Sequence, residues 1–224
     1  MKTLRIAVLW LLVVSSLSAA GERNTYDPLK YSTGRFEGCS PTGEGGDSYL
    51  NSLKNRDKPP FTTTKYTSVA KLEAALPKLP DKKVHRDKWS PPAQDLAAIW
   101  ERRAVTVEGY LVYQAVRQGT EACNCKSETN KDYHLWFADA PSLNKKSRAK
   151  AMVVEISPRM LPKHPNWPTV LRALIKSKTK VRITGWPMWD QEHKSFLGNT
   201  RGTLWELHPI HRVQKKQGTS WVYL

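Results

Sequence analysis

Ala104-Val105-Thr106-Val107-Glu108-Gly109-Tyr110-Leu111-Val112-Tyr113 alternates apolar and polar side chains like a half-buried strand, with a glycine in its interior. An interior glycine marks a bulge or sharp bend, as a barrel strand needs where it turns from one neighbour to the next. Four shorter strand-like runs follow. Tyr133-His134-Leu135-Trp136-Phe137-Ala138 is the second and Ala151-Met152-Val153-Val154-Glu155-Ile156 the third, stopped by Ser157-Pro158. Lys180-Val181-Arg182-Ile183-Thr184-Gly185-Trp186 is the fourth, and Thr203-Leu204-Trp205-Glu206-Leu207-His208 opens the fifth. Between the third and fourth, residues 167–176 (Trp167 to Lys176) carry helical spacing, with Pro168 at the first turn. Three strands, a helix and two strands is the element order of the OB-fold, a five-stranded barrel that often binds oligonucleotides or oligosaccharides. The fold class predicted is therefore mainly β, an OB-like barrel over residues 93–216; an open α+β sheet is the alternative.

Upstream the patterning is poorer. Residues 21–66 are glycine-rich without a sustained apolar period, apart from a helical turn or two within 50–58. Residues 68–76 combine a serine cap with helical spacing and stop at Pro77. Residues 77–92 read as a Pro- and Lys-rich linker, followed by a short helix from Ala93 to Arg102. Residues 21–92 are thus expected to form an irregular, partly helical extension, and residues 217–224 a C-terminal tail. The first 20 residues have a basic start, an apolar run from Ile6 to Val14 and a small-residue end at Ser18-Ala19-Ala20. That is the pattern of a cleavable signal peptide and predicts export to a periplasmic or extracellular space. The apolar run is shorter than the roughly 20 residues that span a bilayer.

Several segments resemble an uncharacterised group of bacterial exported OB-like proteins. They are Glu121-Ala122-Cys123-Asn124-Cys125, Asp132 to Trp136, Val153 to Arg159, Arg201 to Pro209, and upstream Gly45-Gly46-Asp47 with Leu53-Lys54-Asn55-Arg56. The resemblance implies the OB-like fold and export, and brings no activity with it.

The chain carries 36 Lys and Arg against 20 Asp and Glu, a formal charge of +16. Such a balance favours acidic partners. Basic residues gather at Lys145, Lys146, Arg148 and Lys150, again at Lys178, Lys180 and Arg182, and at Arg201. Tryptophans are interleaved with them. Trp205, among leucines, reads as core; Trp167 and Trp189, each beside a proline, read as exposed. Basic grooves track phosphates and exposed aromatics stack bases. These ten positions, eight basic residues with Trp167 and Trp189, are the predicted ligand-binding set. The first reading is an exported binding module for a polyanion, single-stranded nucleic acid first and acidic envelope glycan second. A protein-interaction module of the envelope is a further alternative.

Two imidazoles and a carboxylate, His134, Glu155 and His208, lie on strands that an OB barrel brings together. They form a ligand set suited to zinc or another divalent ion with an open water site. On that reading the protein is a metal-dependent hydrolase or nuclease, with Asp132, Asp190, His193 and Glu206 as further ligands or bases. The competing reading is a buried polar network that holds the strands in register. Of the three cysteines, Cys123 and Cys125 are too near in sequence for an easy bridge. Export therefore predicts a disulfide from Cys39 to one of them, leaving one thiol.

Overall fold

The computed structural model describes residues 26–80, 84–116, 119–142 and 145–224, with backbone alone for residues 145–147. The signal-peptide reading of residues 1–20 lies outside the described residues. In chain order the elements are α1 (Ser48–Lys54), β1 (Thr64–Tyr66), α2 (Val69–Ala75), α3 (Pro91–Glu101), β2 (Val105–Val116), β3 (Tyr133–Ala138), β4 (Met152–Ile156), α4 (Trp167–Lys176), β5 (Lys180–Trp189), β6 (Trp205–Gln217) and β7 (Ser220–Tyr223).

Strands β2 to β6 close into a five-stranded barrel with the OB connectivity. β2 pairs antiparallel with β3 and β3 with β4. β4 runs parallel to β6, and β6 antiparallel to β5. β5 returns antiparallel to β2 and completes the ring. The glycine in the opening stretch sits where β2 changes partner. Residues 105–110 pair with β5, and from Tyr110 onward the strand pairs with β3. A Cβ on Gly109 would stand 2.8 Å from the Ala138 carbonyl and the Phe137 ring, so only glycine lets the two strands approach at this corner. The bulge itself lies two residues on, between Leu111 and Tyr113.

Alternation sorts the side chains of β3. Leu135 and Phe137 are buried in the barrel, while His134 and Trp136 take the opposite face. β4 is buried on both faces. Met152, Val154 and Ile156 join the core, and Val153 and Glu155 face the loops that cover the outside. α4 contributes Trp167, Leu171, Leu174 and Ile175 to the core along one stripe. Trp167 is only 2 % exposed, its ring stacked on His164. Trp189 is buried edge-to-face against Trp205. The expectation that Trp167 and Trp189 stand exposed is corrected. Each is large enough that burial outweighs the pull of a neighbouring proline toward a surface loop.

The stretch before β2 packs into the barrel. Asp47 caps α1, its Oδ1 accepting from the Tyr49 and Leu50 amides at 3.0 and 3.1 Å. Arg56, fully buried, donates to the carbonyls of Leu53 (2.7 Å), His208 (3.0 Å) and Pro187 (3.3 Å), and to that of Glu101. Cys39 is bonded to Cys125, which ties this segment to the β2–β3 connection; Cys123 keeps a free, buried thiol. Residues 77–92, read as a linker, bury Leu79, Arg86 and Trp89. The Arg86 guanidinium forms two hydrogen bonds with the carboxylate of fully buried Glu101, at 2.7 and 2.5 Å. Residues 220–223, read as tail, form β7 and extend β6 as a hairpin. No helix among the described residues is long and apolar enough to cross a membrane.

Candidate ligand cleft and buried charge network

Two loops overhang the outer face of β3 and β4. One joins β2 to β3 and includes Glu121 to Asp132; the other joins β5 to β6 and runs from Asp190 to Leu204. This is the corner of an OB barrel where ligands bind. A hollow of about 250 Å³ lies there, lined by Val116 from β2, His134 and Trp136 from β3, and His193, Phe196 and Thr200 from the second loop. A second cavity of about 400 Å³ shares His193 and Phe196 with it and runs past Lys54, Glu121 and Cys123. Trp136 donates its indole N–H to the Thr200 carbonyl, which holds the ring upright in the wall. The Arg148 guanidinium lies over the Tyr113 and Trp136 rings at 4.6 and 5.4 Å.

Beneath the cleft runs a continuous chain of charged groups. His193 pairs with Asp190, whose Oδ2 also accepts from Arg201 at 3.0 Å. The other arm of Arg201 reaches Glu206 at 2.9 Å. His208 Nδ1 lies 3.3 Å from Glu206 and 3.1 Å from Glu155, and Glu155 pairs with His134 at 3.0 Å. His208 Nε2 faces Asp132 at 3.8 Å, and Asp132 in turn stands 4.0 Å from the Cys123 thiol. The β3–β4 register sets one of these contacts directly, because His134 is the cross-strand partner of Glu155.

Burial and partners pull the groups in opposite directions. Burial alone would depress both imidazoles. Glu155 reverses this, pushing His134 up to about 9, and Glu155 with Glu206 pushes His208 up to about 10. Burial raises Asp132, and the nearby Glu121 raises it further, to about 8. Asp190 is held well below the usual carboxylate range against its burial, by the His193 hydrogen bond and the Arg201 charge. Glu155 is held low in the same way by His134 and His208.

The structure thus brings His134, Glu155 and His208 together with Asp132, Asp190, His193 and Glu206, all noticed in the sequence. The ligand-binding set divides instead. Arg148 lies over the Trp136 ring in the wall of the hollow, Lys150 is exposed just before β4, and the side chains of Lys145 and Lys146 lie outside the described residues. Lys180 and Arg182 are tied to Glu108 on β2, at 3.2 and 2.6 Å, and Arg182 also lies over the Trp221 ring of β7. Lys178 is exposed in the turn before β5, with a left-handed φ of 52°. Arg201, expected to meet a polyanion, lines the hollow, but it is 4 % exposed and its guanidinium is engaged by two carboxylates. Trp167 and Trp189 leave the set because they are core. Lys54 was missed: buried in α1 and within electrostatic reach of Asp190, Glu121 and Glu206, it sits four residues after Leu50 and so on the helix's buried face. No family model matches the chain, and neither a curated protein nor a solved structure matches it.

Proposed function

We propose that the protein is an exported binding module for a polyanion strand, with single-stranded nucleic acid as the ligand. The observation that carries this is the hollow on the outer face of β3 and β4, walled by Trp136 and Phe196 between the two overhanging loops. Aromatic walls of this kind stack bases irrespective of sequence. The Arg148 guanidinium, over the Trp136 ring, supplies positive charge beside this wall. The Cys39–Cys125 bond supports an oxidising compartment.

The test is anisotropy of a labelled oligothymidylate over a salt series. Affinity should fall linearly on a log–log plot, with slope about −0.7 for each phosphate neutralised. Trp136→Ala should weaken binding by roughly 1–3 kcal/mol, the worth of one stacked base. Absence of binding at low salt overturns the nucleic-acid reading. Salt-dependent capture of an acidic glycan instead, by the same Trp136 wall, moves the ligand to that class.

A further inference from the structure

We propose that the protein has a second stacking site for the same kind of strand, built on Phe61 at the opposite end of β2 from the Trp136 cleft. That its occupant is single-stranded nucleic acid rests on the reading above; the site itself rests on separate geometry. Phe61, 97 % exposed, is the most exposed large apolar side chain among the described residues. A lone exposed ring is common on protein surfaces. This one stands between two cavities of about 410 Å³ each, with Phe61 and Tyr31 in the wall of both. Such volumes lie within the ~300–1,000 Å³ of ordinary ligand sites. One cavity also has Arg103, Ala104 and Trp186 in its wall, and the Tyr31 ring packs on the Trp186 indole with centres 4.7 Å apart. The other includes Lys30 and Lys58. Ala104 immediately precedes β2, whereas Val116, the last residue of that strand, lines the hollow beside Trp136.

The ring is held in place from both sides. Upstream, the Lys58 amide donates to Tyr31 O at 2.9 Å; downstream, the Thr64 amide donates to Ala104 O at 3.2 Å. Between these anchors Pro59 and Pro60 fix their own φ, so Phe61 loses little freedom on receiving a ligand. Charge suits the same occupant. Lys30, Lys58 and Arg103 are exposed, and no carboxylate among the described residues lines either cavity. Lys58 Nζ uses one of its three donors on Lys30 O, at 3.2 Å. The carboxylates next to these residues in sequence are occupied, Glu101 by Arg86 and Asp57 by Lys163 and the Thr33 amide. Asp27, which caps the turn Pro28–Tyr31, offsets one of the three charges and leaves two. Thr62 and Thr64 add exposed hydroxyls to the Arg103 side, donors of the kind that meet phosphate oxygens. An aromatic ring with cations on either side stacks a base and holds its flanking phosphates.

Tetrathymidylate, at the short end of the ~4–16 nucleotides that one OB fold occupies, is titrated calorimetrically into the full chain at low salt. The expected result is two equivalents in wild type, and one each in Phe61→Ala and Trp136→Ala. Phe61 lies outside the core, so Phe61→Ala should keep the wild-type circular dichroism. In the Trp136→Ala background the remaining site should weaken roughly 5- to 150-fold on Phe61→Ala, the worth of one stacked base. Arg103→Gln should take about 0.7 from the salt slope of that site, one phosphate contact. One equivalent in wild type that Trp136→Ala removes and Phe61→Ala leaves intact overturns this proposal while the cleft reading stands. So do two equivalents that Phe61→Ala leaves unchanged, or a salt slope that Arg103→Gln does not move. One equivalent removed only by Phe61→Ala supports the Phe61 site and overturns the cleft. No binding in folded wild type overturns both.

Discussion

His211 and His208 stand three residues apart on β6 and are driven in opposite directions by what surrounds them. Both are buried. His208 faces Glu155 and Glu206 and is held as the cation, whereas His211 meets only a backbone carbonyl and an indole, its Nε2 2.9 Å from Arg56 O and 3.1 Å from Trp186 Nε1. Burial, reinforced by the positive Arg56 and Lys163 and opposed by the Arg56 carbonyl and by Asp57, takes His211 down to about 4. The unfolded chain therefore binds this proton first. Stability from a neutral His211 is complete above an unfolded value near 6.5 and is lost as pH falls toward 4, by about 1.4 kcal/mol per unit and roughly 3 kcal/mol in all. Urea unfolding of wild type and His211→Gln across this range should show the difference in stability shifting by that amount in the variant's favour on acidification. A difference independent of pH would refute the assignment. Neither fate was legible in the sequence, where both histidines are polar residues in one apolar strand. Their partners, at Arg56 and Glu155, are set by the closed barrel rather than by neighbours along the chain.

At the scale of elements, what could be read was what has a period. The five barrel strands and α4 were legible because side chains repeat every two or 3.6 residues, and Pro168 and Ser157-Pro158 mark ends. The N-terminal segment was not, because its structure rests on side chain-to-carbonyl bonds that carry no period. Asn55 donates to Cys123 O at 2.8 Å, and Arg159 donates to Gly34 O and Cys39 O at 2.6 and 3.0 Å. Gly43 completes the join. Its φ is +67°, and a Cβ there would stand 2.2 Å from the Ala122 carbonyl. The Cys39–Cys125 bond closes the same contact across 86 residues. Chain-entropy arguments give a loop of this length roughly 4.5 kcal/mol, and measured bridges usually give 2–4. The Cys39→Ser/Cys125→Ser pair should lower the urea midpoint accordingly, and reduced wild type should match it. Equal midpoints for oxidised and reduced wild type would mean that the bond does not constrain the unfolded chain. Gly43→Ala should cost several kcal/mol by steric clash and left-handed strain together.

For the whole molecule the question is whether barrel and N-terminal segment are one cooperative unit. The sequence has them as a domain with an irregular extension, yet the interface between them is built of groups that neither part can satisfy alone. Arg56 places a guanidinium among the carbonyls of Glu101, Pro187 and His208, with the Trp186 ring at 5.1 Å. Tyr31 covers the other reach of that indole, ring centres 4.7 Å apart. Withdrawing residues 26–58 would leave Arg159 without Asn55, Gly34 and Cys39, and would strip His211 of its carbonyl. Unpaired buried polar groups cost about 1–3 kcal/mol each and charged ones more, against a total stability of about 5–15 kcal/mol for a domain. The arithmetic leaves no stable barrel without the segment. A chain beginning at residue 59 should therefore fail to fold. In the intact protein, urea unfolding followed by tryptophan fluorescence and by far-ultraviolet circular dichroism should give coincident transitions. The deciding measurement is pulse proteolysis along the same gradient. Cleavage within residues 26–58 should appear only as the barrel signal is lost, and cleavage there while barrel dichroism persists would make the segment a detachable arm.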